Sequence, residues 1–445
     1  MDMVISKKLL NIHDLPPEVL GVIFTAYLNT NTPNPDDSYE LHEVPRYRVS
    51  SQLYCPSSPI LLGQVCSTWR AFTQSLPTLW RKISVSCPRP QDISLFAQWL
   101  ERSGESPIDL TLVDCFGTNV VSTTAIREIF RLALSQSYRW STVAFDLATD
   151  MGDLVASQTL PPAMALGSFD LKLAHWSESS VRSLLHLLYS SPSLHRVIYS
   201  MPSSNTALPA ILQTPDNLLS TITHLEVKHI AAEELFPLLN RYSSLIHLSF
   251  KTTTLHKNPY LSPQPLTLPS LQSLRLDHSY DIIPLLNTLC LPSLKHLELP
   301  NGFSSASSPQ CKSDEGWNAL FNLIERSSLL EAPVKLESLV LTVFGMEEER
   351  IVRGLSSPLL APLRSLNIKS KVGDQLMKAL TRVESGLLPR LEELELNSCW
   401  SSDGLLTELV SSRQTYLKRV KATMLGSQSF PRDMALRMPG VCVDF

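Results

Sequence analysis

Short apolar templates recur along most of this chain at a nearly constant spacing. Each template consists of an apolar residue, two variable residues, a second apolar residue, one variable residue and a third apolar residue. The first of eleven copies starts at Trp140 and the last at Leu417, and nine of the ten steps between first positions measure 23 to 28 residues. The remaining step, from Leu294 to Leu336, spans 42 residues, and the polar stretch 301–314 supplies the excess. Such regularity predicts stacked units rather than a single core.

The period lies within the range of about 20–29 residues that leucine-rich repeats show. The segments between templates predict helices at residues 181–189, 232–239, 317–325, 375–383 and 405–410. A strand followed by a helix in every repeat requires a parallel sheet, because each crossover returns the chain to the same end. The last two apolar positions of a template would face the helices, and stacking would bury them. An ordinary α/β domain with scattered leucines is the alternative, and the regular period disfavours it.

Composition narrows the classes of function. The 445 residues carry 38 Lys plus Arg against 42 Asp plus Glu, and a net charge of −4 excludes a globally basic nucleic-acid binder. No apolar run approaches the about 20 residues of a transmembrane helix. Only 15 glycines are present, and the zinc-protease, serine-hydrolase, P-loop and dinucleotide motifs are absent. We therefore expect a binding protein without a cofactor, and an unrecognised enzyme on the repeat array is the alternative class.

The cysteines and the N-terminus bear on the compartment. The first ten residues lack the apolar core of a signal peptide, and no Asn-x-Ser/Thr acceptor occurs. The eight cysteines are scattered without Cys-x-x-Cys spacing, which disfavours a zinc or redox motif. A chain of this length has core enough without disulfides. We therefore expect a reduced protein of the cytoplasm, the nucleus or both.

Residues 11–85 differ in character from the repeats. A helix is predicted to start at residues 14–18, because proline fits the first turn and Glu18 suits its positive end. Residues 29–59 hold five prolines and many small polar residues, which predicts a long flexible loop. A second amphipathic helix is predicted over residues 62–72, and a short turn at Pro77 follows it.

Taken in order, these segments resemble the F-box, and more narrowly a fungal F-box-like family. Family members share Leu-Pro-x-Glu-apolar-Leu, which residues 15–20 match, and apolar residues one turn later, which Ile23 and Phe24 match. A later Leu-x-x-Val-Cys/Ser-x-x-Trp-Arg segment matches residues 62–70, and Leu79-Trp80 matches the usual tail. The match covers about 45 of the 75 residues from 11 to 85. The chain departs from the family in its 29–59 insertion, which resembles the loop-expanded proteins of mushroom-forming fungi, and in Ser67-Thr68, where Lys or Arg is frequent.

The resemblance implies that the N-terminal unit binds a Skp-type adaptor, which links F-box proteins to a cullin–RING ubiquitin ligase. Its helices carry more apolar surface than so small a unit buries alone, and a partner helix pair would cover the excess. Packing of the same surface on the first repeat is the alternative. The residues assigned to the adaptor are Leu15, Pro16, Pro17, Glu18, Val19, Leu20, Ile23, Phe24, Val65, Cys66, Trp69 and Trp80.

The variable positions of each template would lie on the concave face of the array, where leucine-rich proteins bind their targets. The positions assigned to a protein substrate are Glu226, Lys228, His247, Arg275, Asp277, Glu298, Asn367 and Glu395. No sign dominates among them, so they define neither an acidic nor a basic target. His224, His247 and His296 share one column, but eleven histidines in eleven repeats make this coincidence ordinary, and we assign no metal to them.

Together these patterns predict an α/β protein in two parts. A small all-α F-box-like unit at residues 11–85, with its insertion at 29–59, precedes a leucine-rich-repeat domain at 86–445 with a curved parallel sheet and outer helices. The predicted function is the substrate-recognition subunit of a Skp/cullin/F-box ubiquitin ligase, without a catalytic, nucleic-acid-binding or membrane role. The alternative is a leucine-rich binding scaffold that is not coupled to a ligase.

Overall fold

The computed structural model describes residues 12, 15–29, 49–51, 58–114, 120–157, 159–200, 219–228, 239–252, 265–278, 282–302, 313–328, 333–343, 346–381, 387–425, 431–434 and 442–444. The chain divides into two compact units, one formed by Met1–His195 with Ser200–Thr214 and the other by Arg196–Tyr199 with Pro215–Phe445. Each unit combines a mostly parallel sheet with helices, so the predicted mixed α/β class is confirmed.

The first unit begins with short helices and continues as strand–helix repeats. Its sheet has the order β1-β2-β3-β4-β5, in which β1 is antiparallel to β2 and the other pairs are parallel. The elements are α1 (Pro17–Asn29), β1 (Val49–Ser50), α2 (Pro59–Val65), α3 (Ser67–Ser75), β2 (Lys82–Ser86), α4 (Pro90–Arg102), β3 (Ile108–Val113), α5 (Val120–Leu134), β4 (Trp140–Leu147), α6 (Gly152–Ala156), β5 (Ser168–Leu173) and α7 (Glu178–Leu188).

The N-terminal segment differs from its prediction at two places. The single helix predicted over 62–72 is two helices, because Cys66 adopts an extended conformation with φ −157° and ψ 171°. Its Sγ accepts a hydrogen bond from the backbone N–H of Trp69 at 3.4 Å, which restarts the helix at α3. The predicted 29–59 loop contains strand β1, where Val49 lies opposite Val85 and Ser50 opposite Ser84. Residues 30–48 and 52–57 lie outside the described residues.

The sheet starts earlier than the first predicted template. Trp80, Ile83 and Val85 fit the template, and in β2 Ile83 pairs with Leu110 and Val85 with Leu112 of β3. The predicted boundary between residues 85 and 86 therefore falls inside β2.

The second unit consists of repeats alone. Its main sheet has the order β6-β7-β8-β10-β12-β13-β14-β15-β16-β17, and β9 pairs with β11 in a small separate sheet. The elements are β6 (Arg196–Ser200), β7 (His224–Lys228), β8 (His247–Thr252), β9 (Leu266–Thr267), β10 (Ser273–His278), α8 (Ile283–Thr288), β11 (Leu289–Cys290), β12 (His296–Leu299), α9 (Ser313–Ser328), β13 (Ser338–Leu341), α10 (Glu348–Leu355), β14 (Ser365–Val372), α11 (Asp374–Thr381), β15 (Glu393–Cys399), α12 (Leu405–Ser412), β16 (Arg419–Met424), α13 (Pro431–Met434) and β17 (Cys442–Asp444).

The strand registers in this unit match the sequence template. The middle apolar positions lie opposite one another in an unbroken row across eight strands, formed by Leu225, Leu248, Leu274, Leu297, Leu339, Leu366, Leu394 and Val420. All eight are buried, which confirms the predicted inward face. Each such side chain contributes about 1.5–3 kcal/mol when removed from water. The helices predicted at 317–325 and 405–410 lie within α9 and α12, whereas residues 232–238 and 303–312 lie outside the described part of the chain.

Buried or half-buried arginines connect neighbouring repeats. Arg139, Arg326 and Arg413 donate hydrogen bonds to backbone carbonyls at the C-terminal ends of helices in the preceding repeat, where such donors are favoured. The contacts run from Arg139 to Leu100 at 2.9 Å, from Arg326 to Leu286 at 2.7 Å and from Arg413 to Leu380 at 2.6 Å. Burial lowers the pKa of all three guanidinium groups, which nevertheless stay charged.

Cys87 forms a disulfide with a partner outside the described residues, so the expectation of a chain without disulfides is wrong at this position. Four other cysteines, at 66, 290, 399 and 442, form no disulfide. Within the described ranges, no helix combines the length and apolar character needed to cross a bilayer.

Candidate functional site

Helix α1 carries apolar residues on two sides. On the inner side, Leu20, Phe24 and Leu28 are buried at a spacing of four residues. The ring of Phe24 lies 4.6 Å from that of Trp69 and 5.7 Å from that of Phe72, both on α3. This contact fixes the helix against its neighbour.

The other side of α1 is apolar and open to solvent. Val19, Val22, Ile23 and Tyr27 follow one another at helical spacing, with exposed fractions of 42%, 70%, 40% and 39%. We call these four residues the outer apolar stripe. Val65 at the end of α2 is 62% exposed as well. Elsewhere in the described residues, the large exposed apolar side chains are separated from one another in the sequence.

The predicted adaptor residues divide into three groups. Pro16, Pro17, Glu18, Val19, Ile23 and Val65 are exposed, and Leu15, Cys66 and Trp69 are half-buried. Leu20, Phe24 and Trp80 are buried, so they support the fold instead of offering surface to a partner. Two stripe residues, Val22 and Tyr27, were not among the predicted set, although their spacing from Val19 and Ile23 indicates the same face.

Trp80 shows why the buried group belongs to the core. Its Nε1–H donates to the carbonyl of Thr73 at 2.8 Å, and its ring meets that of Trp99 edge-on with 5.3 Å between centroids. The guanidinium of Arg102 lies 4.6 Å from the centre of the Trp80 ring. Trp80 therefore ties the N-terminal helices to α4 of the first repeat.

The predicted substrate residues all lie on strands of the second unit. They alternate with the buried row and thus occupy the face turned away from the buried core. Ion pairs connect Lys228 to Glu226 at 3.1 Å and Lys251 to Asp277 at 3.5 Å. The structure therefore brings these residues to one face, but it divides them between two stretches of the sheet.

One stretch, at β14 to β16, is a polar network in which each carboxylate is paired. The amide of Asn367 donates to Glu395 at 2.6 Å, and Lys421 lies 2.9 Å from the same carboxylate. Arg419 and Glu393 pair at 3.4 Å alongside. Each carboxylate here already has a cationic neighbour.

The other stretch forms a groove of about 250 Å³ across β6, β7, β8, β10 and β12. We call it the strand-end groove. Four predicted residues line it, namely Glu226, His247, Arg275 and Glu298. Arg196 and His224 line it too. They were missed as site residues, although Arg196 precedes Val197 just as His247 precedes Leu248 in the template.

Two histidines stack inside the strand-end groove. The rings of His224 and His247 lie 4.2 Å apart at an angle of 20°, and the hydroxyl of Thr223 lies 2.8 Å from Nδ1 of His224. Burial, together with the positive charges of His296 and Arg196, lowers the pKa of His247. Over the described ranges, no three His, Cys, Asp or Glu side chains are grouped to hold a metal ion.

No protein-family model matches the chain, and no curated protein matches it. Among solved structures, the chain is similar to the yeast complex of Rad7 and Elc1, with 14% identity over 71% of this chain and 82% of that chain and a TM-score of 0.35. It is also similar to a TLR13–ssRNA13 complex, with 16% identity, 59% and 44% coverage and a TM-score of 0.34. The Drosophila Toll–Spatzle complex matches with 12% identity, 79% and 51% coverage and a TM-score of 0.31. Likeness at this level carries no functional argument, and the strand registers alone support the repeat fold.

Proposed function

We propose that this chain is the substrate receptor of a Skp/cullin/F-box ubiquitin ligase. The N-terminal helices bind a Skp-type adaptor, and the open face of the repeats binds a protein substrate. The chain supplies binding and proximity, which raises the effective concentration of the substrate at the ligase. Transfer of ubiquitin is the task of the other subunits.

The outer apolar stripe is the observation that carries this proposal. The inner side of α1 makes the contacts to α3, whereas Val19, Val22 and Ile23 on the other side stay 40% to 70% exposed. Exposed apolar residues at positions i, i+3, i+4 and i+8 suit an apolar groove on a helical partner. The sequence of residues 15–24 resembles the F-box in the same helix, and that resemblance names the partner.

Copurification with the adaptor tests the proposal. The full chain would be co-expressed with a Skp-type adaptor as wild type, as Val22→Asp and as Thr25→Asp. Val22 is 70% exposed, so a charge there disrupts an interface without opening the core. Thr25 is exposed on the same helix but off the stripe, which makes it the matched control.

We expect the adaptor to copurify with the wild type and with Thr25→Asp, and to be lost with Val22→Asp. A folded wild-type chain that retains no adaptor would contradict ligase coupling. It would leave the repeats as a binding scaffold. Equal binding by both aspartate variants would mean that the adaptor contact lies outside α1.

We place this activity in the cytoplasm, the nucleus or both. The disulfide at Cys87 is the observation against it, since thiols in these compartments are kept reduced. Alkylation of the copurified sample, followed by mass spectrometry of the Cys87 peptide, measures whether Cys87 is oxidised or reduced. A reduced Cys87 in protein from the native cell would support this placement, whereas a fully oxidised Cys87 there would argue for an oxidising compartment.

A further inference from the structure

We propose that the strand-end groove is an oxyanion-binding site of the second unit. Arg196, His224 and His247 would be its principal ligands, and a sulfate-sized group, such as a phosphate monoester, would be its occupant. The assignment of the oxyanion to a protein substrate rests on the proposed function, whereas the site itself does not.

The arrangement of the strands creates the cluster. His224 and His247 are opposite one another in the β7–β8 register, and Ser273 continues the row on β10. Arg196 opens β6 at the same template position and lines the same groove. Basic residues from three neighbouring strands therefore reach one small cavity.

The charges around the groove leave one cation unpaired. Glu226 pairs with Lys228 at 3.1 Å, and Glu298 lies 3.0 Å from Arg275 and 3.7 Å from Lys369. The described residues provide no ion pair or hydrogen bond for the guanidinium of Arg196. Both carboxylates are thus compensated. The lining itself holds two arginines and two glutamates, and the surroundings become net positive, even with neutral histidines, because Lys228 and Lys369 also contact these glutamates. A bound anion would supply the missing partner.

Neutral donors complete the lining. Ser249 and Ser273 both line the groove, and within the described chain neither hydroxyl forms a hydrogen bond. Guanidinium, imidazolium and hydroxyl groups are the donors that tetrahedral oxyanions accept most readily. A cavity of about 250 Å³ holds one such group with room for its attachment.

The stacked histidines make the site sensitive to pH. Two imidazolium rings 4.2 Å apart repel each other, so the second proton is disfavoured until an anion lies beside them. Binding therefore takes up protons, and affinity rises as the pH falls through the range in which the rings titrate. The charged and titratable groups around His247 are Arg196 on β6, His224, Glu226 and Lys228 on β7, Lys251 on β8, Arg275 and Asp277 on β10, and His296 and Glu298 on β12.

Sulfate is the probe of choice, because it stays a dianion throughout the relevant pH range. Calorimetric titration of the full chain with sodium sulfate, at constant ionic strength, would compare the wild type with Arg196→Gln, His247→Gln and Arg353→Gln. Arg353 is exposed on α10 and pairs with Glu349 away from the groove, so it controls for the loss of one charge.

We expect sulfate affinity to fall at least about tenfold in Arg196→Gln and to stay unchanged in Arg353→Gln. Wild-type affinity should be at least about threefold higher at about pH 6 than at about pH 7.5, and His247→Gln should lose most of this difference. No sulfate binding, or equal weakening by both arginine variants, would overturn the site.

A peptide arm distinguishes the source of the oxyanion. A short phosphoserine peptide and its unphosphorylated form would be titrated alongside sulfate. A phosphopeptide that binds more tightly than sulfate assigns the site to a modified protein segment, whereas equal affinity assigns it to a free oxyanion. Two further measurements distinguish failure of this site from failure of the proposed function. Arg196→Gln should still copurify with the adaptor, and Val22→Asp should still bind sulfate.

Discussion

Helices α1 and α10 both bury apolar residues on one side, but their other sides differ. In α10, Ile351 and Leu355 are buried against the second unit, and the remaining surface carries charges such as Glu349 and Arg353. In α1 the buried side is matched by a second apolar side that is open to solvent. The repeat helix α10 thus buries its apolar residues within its own unit, whereas α1 also leaves a second group of apolar side chains exposed.

The helix caps differ in the same way. The N-terminal helices are capped locally, by Ser58 for Ile60 and by Cys66 for Trp69. Helices α11 and α12 of the second unit are instead capped from a neighbouring repeat, as when Asp433 accepts from the backbone of Thr407 at 2.9 Å, although Ser177 caps the repeat helix α7 locally. The caps of α11 and α12 therefore connect neighbouring repeats, whereas the caps of α2 and α3 are local.

The largest expected effect is on unfolding free energy, and it compares a substitution in the buried row of leucines with one in the outer apolar stripe. Leu274→Ala should cost about 2–5 kcal/mol in unfolding free energy, because it opens a cavity beneath a central strand. Val22→Ala should change it by less than about 0.5 kcal/mol, since the side chain is 70% exposed. Urea unfolding followed by circular dichroism measures both. Equal losses would mean that the stripe is part of the core.

A smaller effect is expected from the arginines that connect repeats. Arg413→Met removes the donor to the carbonyls of Leu380, Leu387 and Leu388, which lie 2.6, 2.6 and 2.9 Å away. We expect a loss of about 2–3 kcal/mol, because buried carbonyls left without donors are costly.

The control for Arg413→Met is Arg353→Gln, which breaks an exposed pair and should cost less than about 0.5 kcal/mol. The same urea experiment compares them. If Arg413→Met were as stable as the wild type, the free-energy cost of desolvating the guanidinium would equal the free energy gained from its hydrogen bonds.

The repeat fold could be predicted because its signal is periodic. Each strand buries its middle apolar residue, so steps of 23 to 28 residues map directly onto the registers of the second unit. The break at Cys66 and strand β1 could not be predicted in this way. Neither repeats along the chain: the break depends on the hydrogen bond from the Trp69 N–H to Cys66, and β1 depends on pairing with a strand more than thirty residues away.

The candidate sites were only partly predictable, for a related reason. A helical pattern identifies apolar residues, but it does not say which of two apolar sides a small unit will bury, so Phe24, which was assigned to the adaptor, is buried, and Val22, for which no role was predicted, is exposed. On the sheet, the template placed His247 and Arg275 on the open face. It carried no information on which charges would find partners. That Arg196 has no ion pair among the described residues emerges only from the ion pairs around it.

The smallest expected effect concerns a carboxylate that joins two repeats. Asp374 at the start of α11 accepts hydrogen bonds from the backbone N–H of Ser402 at 2.6 Å and from its hydroxyl at 2.8 Å. These bonds hold the pKa of Asp374 below its usual value. The stabilisation is therefore fully present above the unfolded pKa of about 3.9 and is lost as the pH falls through the folded value.

Asp374→Asn should lower the unfolding free energy by about 1 kcal/mol at neutral pH. The difference from the wild type should shrink as the pH is lowered toward about 3, because the wild-type carboxyl then becomes neutral as well. Urea unfolding at a series of pH values measures this convergence, and Glu349→Gln on the exposed surface of α10 serves as the control without an inter-repeat bond. A difference that stayed constant down to acid pH would show that the charge of Asp374 contributes nothing to the contact. The caps between repeats would then act through shape and neutral hydrogen bonds alone, as the local caps of α2 and α3 do.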